Sequence, residues 1–445
     1  MAQVSDPARA RSIATEIVSL LRQAGFLAYF AGGCVRDELL GLHPSDYDVA
    51  TSATPRQIEA LLKPPRFATH FVGEAFGVTL VKAEGMPVEV ATFRSDGTYT
   101  DKRRPDSVLF STPHEDAQRR DFTINALFLD PLSAVRTPSP NHATVAGEVI
   151  DLVGGISDLR AGLIRAVGDP HARLKEDDLR ALRAVRFAAR YGFEIEPRTA
   201  QAITLHAASL AGVSRERIGD ELRRMLLRQT GQARIAAAQL LSMLGLDVPL
   251  FGSASPGVSL PVTTQPATGN QDHSLWPALA AVGSNADFGA LLAAILVDRQ
   301  SGTEPRWWAS SADLWRRGLC LSNEELAAMV GTLENLWQLQ HNWTGASVAG
   351  QKRLAAGQHF AAALEVLSGI SPDEAAEVRA RVAELKIIGP GLNPFPILGG
   401  GELIAAGFKP GPDFKRLLDM VYDAQLEGAI CDLAGAMELV RQQRI

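Results

Sequence analysis

Cysteine is scarce in this 445-residue chain: Cys34, Cys320 and Cys431 lie far apart and match no metal-ligand spacing. A disulfide scaffold and a cysteine-based zinc site are therefore excluded, and a reduced cytoplasm is the expected compartment. No run of about 18 apolar residues occurs, so no membrane span is expected. The segment Met1 to Ala10 carries Asp6 and Arg9 and lacks the apolar core of a secretory signal. An overall basic excess is also missing. The net charge of −6 speaks against a general nucleic-acid binder. What remains, 46% hydrophobic and 21% charged residues, is an ordinary globular composition. The length predicts two to four domains.

Local charge departs from the total. Between Arg160 and Arg228 stand 14 Arg/Lys against 9 Asp/Glu, a net of +5. Much of the excess is arginine at helical spacing, which suits an RNA contact confined to one surface. The chain divides by pattern. Residues 1–150 read as mixed α/β. An amphipathic helix runs from Ala8 to Ala24, and apolar strands follow at Phe26–Ala31, Asp46–Ala50, Val78–Val81 and Val88–Phe93. A short helix covers Val35 to Leu40, and Phe122 to Asp130 is a further buried stretch. Beyond Asp151, helical periodicity dominates. It is interrupted by a Gly/Ser/Pro/Thr-rich insertion at Gly252–Gln271. It resumes at Leu275 and runs to Lys386. A Gly/Pro-rich stretch, Gly389 to Gly401, opens the last part.

Asp46 and Asp48 flank Tyr47 in a predicted strand, so both carboxylates project from one face. Two adjacent oxygen ligands suit Mg²⁺ when triphosphate oxygens and waters complete its octahedron. Glu89, on the strand Val88–Phe93, is the candidate third carboxylate. Taken alone, Asp-x-Asp reads as a solvated edge pair; its neighbours change that reading. Upstream stands Gly32-Gly33-Cys34-Val35-Arg36-Asp37. Two glycines between strand and helix let backbone N–H groups approach a phosphate, and Arg36 adds a fixed charge.

Gly32 to Asp37, Asp46-Tyr47-Asp48 and the following Ala50-Thr51-Ser52-Ala53-Thr54-Pro55 resemble the head of the bacterial CCA-adding enzyme and poly(A) polymerase family, the class II nucleotidyltransferases. The resemblance implies an α+β fold: a polymerase-beta-like nucleotidyltransferase head with a mixed sheet, then all-α neck, body and tail. The corresponding divisions are 1–150, 151–230, 231–385 and 386–445. Further motifs match to about Glu221 and again near the C-terminus. Leu226 to Leu385 matches nothing.

Arg119-Arg120-Asp121-Phe122-Thr123-Ile124-Asn125-Ala126 resembles the family's ribose-selecting motif. A carboxylate accepts from a 2′-hydroxyl and arginines hold triphosphate oxygens. Asp121 is thus expected at the sugar and Arg119 or Arg120 at phosphate, with Asn125 assisting. Glu176-Asp177-Asp178-Leu179-Arg180 resembles the nucleobase motif. Cytosine and adenine each offer an amino donor beside a ring-nitrogen acceptor, while uracil and guanine offer a carbonyl and a ring N–H. A carboxylate and a guanidinium three apart on one helix face accept the first pair and leave the second unsatisfied. Asp177 and Arg180 are assigned that template and Glu176 the orientation of Arg180, while Asp178 is expected to face solvent. Arg183 is counted with the nucleotide-binding group. Arg183, Arg186 and Arg190 are open to tRNA phosphates or to salt bridges.

Asp151 to Leu159 resembles the head–neck hinge, its glycines permitting the turn. Ser214-Arg215-Glu216-Arg217-Ile218 with Glu221-Leu222 resembles the last neck motif and is read as support for the neck. Three features favour tRNA over poly(A) synthesis. His70 to Val78 resembles the tRNA enzymes. Thr92 to Val108 is a long polar loop (Tyr99, Asp101, Arg103, Arg104, Pro105), which in the family is tied to the switch from C to A addition. Gly401 to Pro412, with Lys409, resembles the tail that would touch tRNA by shape and phosphate. The family's occasional phosphohydrolase domain is not expected, since no His-Asp dipeptide occurs. The implied reaction is Mg²⁺-dependent addition of CCA to the tRNA 3′ end from CTP and ATP. A poly(A) polymerase and an enzyme adding only CC or only A remain alternatives. No protein partner is inferable.

Overall fold

The computed structural model describes residues 6–73, 77–97, 108–139, 144–252, 276–300, 304–408 and 411–443. The tip of the loop after Thr92, most of the insertion at 252–271, and Lys409 lie outside them. The chain divides into two compact units, Met1–Glu221 with Leu240–Pro249, and Leu222–Gln239 with Leu250–Ile445.

The first unit opens with α1 (Pro7–Gln23), capped by the Asp6 carboxylate accepting from the Ala8 N–H. Its buried face carries Ile13, Ile17, Val18 and Leu21, the spacing of an amphipathic helix. Each such buried aliphatic side chain contributes about 1.5–3 kcal/mol over exposure. Then come β1 (Ala28–Ala31), α2 (Gly33–Leu39), β2 (Val49–Thr51), α3 (Pro55–Leu61), β3 (Ala68–Gly73), β4 (Val78–Ala83), β5 (Met86–Thr92), β6 (Arg94–Asp96), β7 (Val108–Phe110), α4 (Pro113–Gln118), β8 (Phe128–Asp130), β9 (Arg136–Pro138), β10 (Thr144–Ala146) and β11 (Glu148–Ile150). Seven strands form one mixed sheet in the order β11-β8-β1-β2-β5-β4-β3. All neighbours are antiparallel except β2 and β5. Phe93 and Phe128 meet edge-to-face at 5.8 Å in the core beside this sheet. The second predicted strand is shorter than expected: pairing begins at Val49, and Asp46 to Asp48 form the approach to it.

The unit continues with α5 (Gly155–Ala161), β12 (Leu163–Ile164), α6 (Pro170–Glu176), α7 (Arg180–Tyr191), β13 (Glu194–Ile195), α8 (Pro197–His206) and α9 (Arg215–Leu226) as far as Glu221. The expected hinge is tightly built. Asp151 Oδ1 accepts from the N–H groups of Val153, Gly154 and Gly155, and Oδ2 accepts from Ile156. A Cβ on Gly155 would lie 2.3 Å from the Thr123 carbonyl oxygen, so close approach is what glycine supplies there.

The rest of the chain is helical: α10 (Gly231–Met243) and α11 (Asp247–Phe251), of which Leu240–Pro249 are counted with the first unit, then α12 (Pro277–Ala281), α13 (Phe288–Arg299), α14 (Ala309–Gly318), α15 (Asn323–His341), α16 (Val348–Ala355), α17 (Phe360–Ile370), α18 (Pro372–Ile387), α19 (Gly400–Ala405), α20 (Pro412–Leu426) and α21 (Leu433–Gln442) in the second. Burial along α13 is continuous from Phe288 to Leu296. Asp298 on α13 accepts from the N–H groups of Ala278 and Leu279 at the start of α12, both at 2.9 Å, and burial pushes this carboxyl up to about 7. Leu398, Leu403, Leu417, Val421, Ala436 and Val440 form the apolar core of the last helices. Among the described residues, no helix is long and apolar enough to cross a membrane.

Candidate active site

The site grows from the turn between β1 and α2. Gly32 has φ +72°, and a Cβ there would stand 2.9 Å from Arg120 Nη1. Its backbone conformation demands glycine, and the guanidinium occupies the space a Cβ would take. Arg36 follows in α2. It donates through Nε to Asp37 (2.8 Å) and through Nη1 to the Asn125 side chain, and its guanidinium lies 5.0 and 4.9 Å from the rings of Phe187 and Tyr191. Arg36 is therefore a buried hub, its expected fixed charge held beside the glycine turn.

Tyr47 is buried, with its hydroxyl donating to Glu38 at 2.7 Å, and this turns Asp46 and Asp48 away from the core. The register pairs Val49 with Val90, both buried. One step back along each strand, on the opposite face, stand Asp48 and Glu89. The Asp48 carboxyl is pushed up to about 7 by burial first, then by the charges of Asp46 and Glu89, against the pull of Arg120. Crowded carboxylates of this kind are short of a cation. Among the described residues no three His, Cys, Asp or Glu side chains form a ready metal cage. These hard oxygen donors fit a partly solvated Mg²⁺ whose other ligands come from substrate.

Asp121 is more committed than expected. Oδ2 accepts from Arg183 Nε (2.8 Å) and Nη2 (2.6 Å), while Oδ1 accepts from the Phe122 N–H (2.8 Å) and Asn125 Nδ2 (3.1 Å). Burial opposes its ionisation, but Arg183 and these hydrogen bonds hold it at about 2. All four acceptor positions of the carboxylate are engaged, so any further donor can bind only by replacing one of these.

The nucleobase motif is not one continuous helix. Helix α6 ends at Glu176, Asp177 is extended (φ −154°), and α7 begins at Arg180. The break arises because Asp177 takes the Leu179 N–H on Oδ1 (3.1 Å) and Arg217 on Oδ2 (2.6 Å). A short polar side chain that bonds its own backbone competes with the helical ladder. Arg180 pairs with Glu176 and donates to the Arg173 carbonyl at 2.7 Å. Asp178, expected in solvent, is 3% exposed. Arg186 is buried against Glu221, with its guanidinium 4.2 Å from the Phe187 ring centre, so it has left the solvated face. Arg190 remains accessible, 4.0 Å from Asp37.

One cleft of about 540 Å³ is lined by Gly32, Gly33, Arg36, Asp48, Arg119, Arg120, Asp121, Asn125, Asp177, Arg180, Arg183, Arg186 and Arg190. Asp46, Glu89 and Glu176 are not among its lining residues. Sequence reasoning missed the partners that hold these groups: Asp37, Asp116, Phe187, Tyr191 and Arg217. Only Asp116 left a signal, since it stands three and four residues before Arg119 and Arg120.

Comparison with known proteins meets this geometry from another side. Residues 28–165 match the model of the poly A polymerase head domain, and residues 192–246 that of a probable RNA and SrmB-binding site of polymerase A. A CCA-adding enzyme of Limosilactobacillus fermentum is 34% identical over 423 residues, covering 94% of this chain and 93% of that protein. The chain belongs to the CCA-adding enzyme family. A second member, from Lacticaseibacillus paracasei, is 34% identical over 421 residues, 94% of this chain and 92% of its own length. The crystal structure of the Bacillus stearothermophilus CCA-adding enzyme in complex with CTP superposes with a TM-score of 0.73 at 27% identity, covering 99% of this chain and 98% of that one. The match spans the helical second unit as well as the head, although Leu226 to Leu385 had no legible motif.

Proposed function

We propose that this chain adds C and A nucleotides to the 3′ end of tRNA, using CTP and ATP and releasing pyrophosphate. The observation that carries the reading is the convergence of the glycine turn, Asp48, the arginine pair and the nucleobase motif on one cleft. The relatives' names and the CTP bound to the Bacillus stearothermophilus enzyme support it. Asp46 and Asp48, with Glu89 beside them, would hold Mg²⁺. The chemistry supplied there would be a lowered pKa for the attacking hydroxyl and, from a second ion, charge neutralisation at the leaving pyrophosphate.

The chain's own residues do the rest by positioning. Arg119 and Arg120 receive the triphosphate, with Gly32 and Gly33 leaving room for it. Asp121, Asn125 and Arg183 form one bonded unit at the sugar. Asp177 accepts from the amino group of cytosine or adenine, and Arg180, oriented by Glu176, donates to the ring nitrogen. Arg186 and Glu221 brace the wall, and Arg190 and Lys409 are assigned to RNA phosphates. We keep head, neck, body and tail at 1–150, 151–230, 231–385 and 386–445. The three unpaired cysteines suit the cytoplasm.

The test is incubation with tRNA ending before CCA and labelled CTP or ATP, with Asp46→Ala as control. Two CTP additions followed by one ATP are expected. Long A tracts on any RNA, or A added only to tRNA already ending in CC, would replace this reading with a polymerase or an A-adding enzyme.

A further inference from the structure

Asp116 stands in the last turn of α4, is 2% exposed, and is not among the residues lining the cleft. Its two oxygens are divided between two arginines that are. Oδ1 accepts from Arg119 Nε (3.0 Å) and Nη2 (2.8 Å); Oδ2 accepts from Arg120 Nε (3.1 Å) and Nη2 (3.0 Å). The backbone N–H of Arg94, at the foot of the β6–β7 hairpin, also reaches Oδ1 at 3.3 Å.

We propose that Asp116 is a positioning residue for triphosphate binding, one buried carboxylate that fixes both guanidinium planes facing the cleft. This rests on the reading of the cleft as the nucleotide site. Three features carry it. Each arginine spends the same Nε–Nη2 edge on one Asp116 oxygen, and two N–H groups converging on one acceptor fix the plane as well as the position of a guanidinium. One negative charge holds two positive ones: it relieves their mutual repulsion yet leaves a net positive charge turned to the cleft. Burial keeps water from competing for the carboxylate. Arg120 is braced further by the Asn125 carbonyl (Nη1, 3.1 Å) and the Phe128 ring (5.2 Å), in the space that Gly32 leaves by having no Cβ.

Asp116→Asn keeps the volume but offers one acceptor oxygen and turns an amide donor toward a guanidinium. Equilibrium binding of cytidine, CMP and CTP separates phosphate contacts from base and sugar contacts. For Asp116→Asn, CTP affinity is expected to fall about ten- to a hundredfold, CMP affinity less, and cytidine affinity not at all. In an Arg119→Ala/Arg120→Ala background, the same substitution should cost CTP binding nothing more. An equal loss for cytidine and CTP, unchanged CTP binding, or a full further loss in the double-alanine background overturns the proposal. Should Asp116→Asn fail to fold, Asp116→Glu keeps the charge and pushes both guanidiniums outward; the same phosphate-graded loss is expected, and its absence is equally fatal. A wild-type chain that binds cytidine as tightly as CTP defeats the nucleotide reading itself, a result separable from all of these.

Discussion

In the first unit, the guanidiniums of Arg36, Arg119, Arg120, Arg183 and Arg186 meet carboxylates: Asp37, Asp116, Asp121 and Glu221. In the second, the fully buried Arg234 and Lys352 donate to backbone carbonyls instead. Arg234 reaches those of Leu226, Val282, Gly283 and Ser284, and Lys352 those of Ile388 and Leu426. The difference separates two uses of the same side chains. A carboxylate partner balances charge and can trade an arginine donor for a hydroxyl, leaving that N–H to a phosphate. A carbonyl partner carries no net charge, and a cation shared among several of them ties backbone segments together.

Substitutions that remove charge should therefore act on activity in one unit and on stability in the other. Asp46→Ala is expected to lower nucleotide incorporation roughly a thousandfold or more. Its melting temperature should stay near wild type because Asp46 is exposed; a large fall in melting temperature would break the contrast. Arg234→Ala should cost about 3–5 kcal/mol in denaturant unfolding, because four carbonyls lose their donor together. The protein that remains folded should keep its specific activity. Arg180→Ala should narrow the preference for CTP over UTP by about ten- to a hundredfold, read from initial incorporation rates. Lys352→Met keeps the stem and removes the ammonium, and should cost about 1–3 kcal/mol. The last prediction concerns pH and Asp298. Its folded pKa, about 7, lies above the ordinary carboxylate value. Protonation therefore favours the folded state: this group's contribution is complete below about pH 4 and is lost as pH rises through about 7. Asp298→Asn should flatten that part of the stability–pH curve.

Legibility followed range. Asp46 and Asp48, the glycine turn and the two arginine-bearing motifs are local patterns, and each can be read within a few residues. The mixed sheet was partly legible because apolar runs such as Val88–Phe93 mark its strands. The pairing of β2 with β5, which brings Glu89 beside Asp48, joins segments some 40 residues apart and leaves no trace in spacing. The helix break at Asp177 was hidden for a related reason, since Arg217, which holds it, lies 40 residues further on. Tyr191 is 154 residues from Asp37, yet its hydroxyl donates to that carboxylate at 2.9 Å. Arg186 read as one of a row at helical spacing, and only its distant partner Glu221 takes it out of solvent.

Lys352 carries one more consequence. Its amine is sealed from water and lies against the carbonyls of Ile388 and Leu426, at the ends of α18 and α20, and burial makes it easier to deprotonate than an ordinary lysine. An acylating reagent can reach that nitrogen only in molecules where those helix ends have parted from α16. The extent of labelling at this one lysine would thus count, molecule by molecule, how often the C-terminal helices let go.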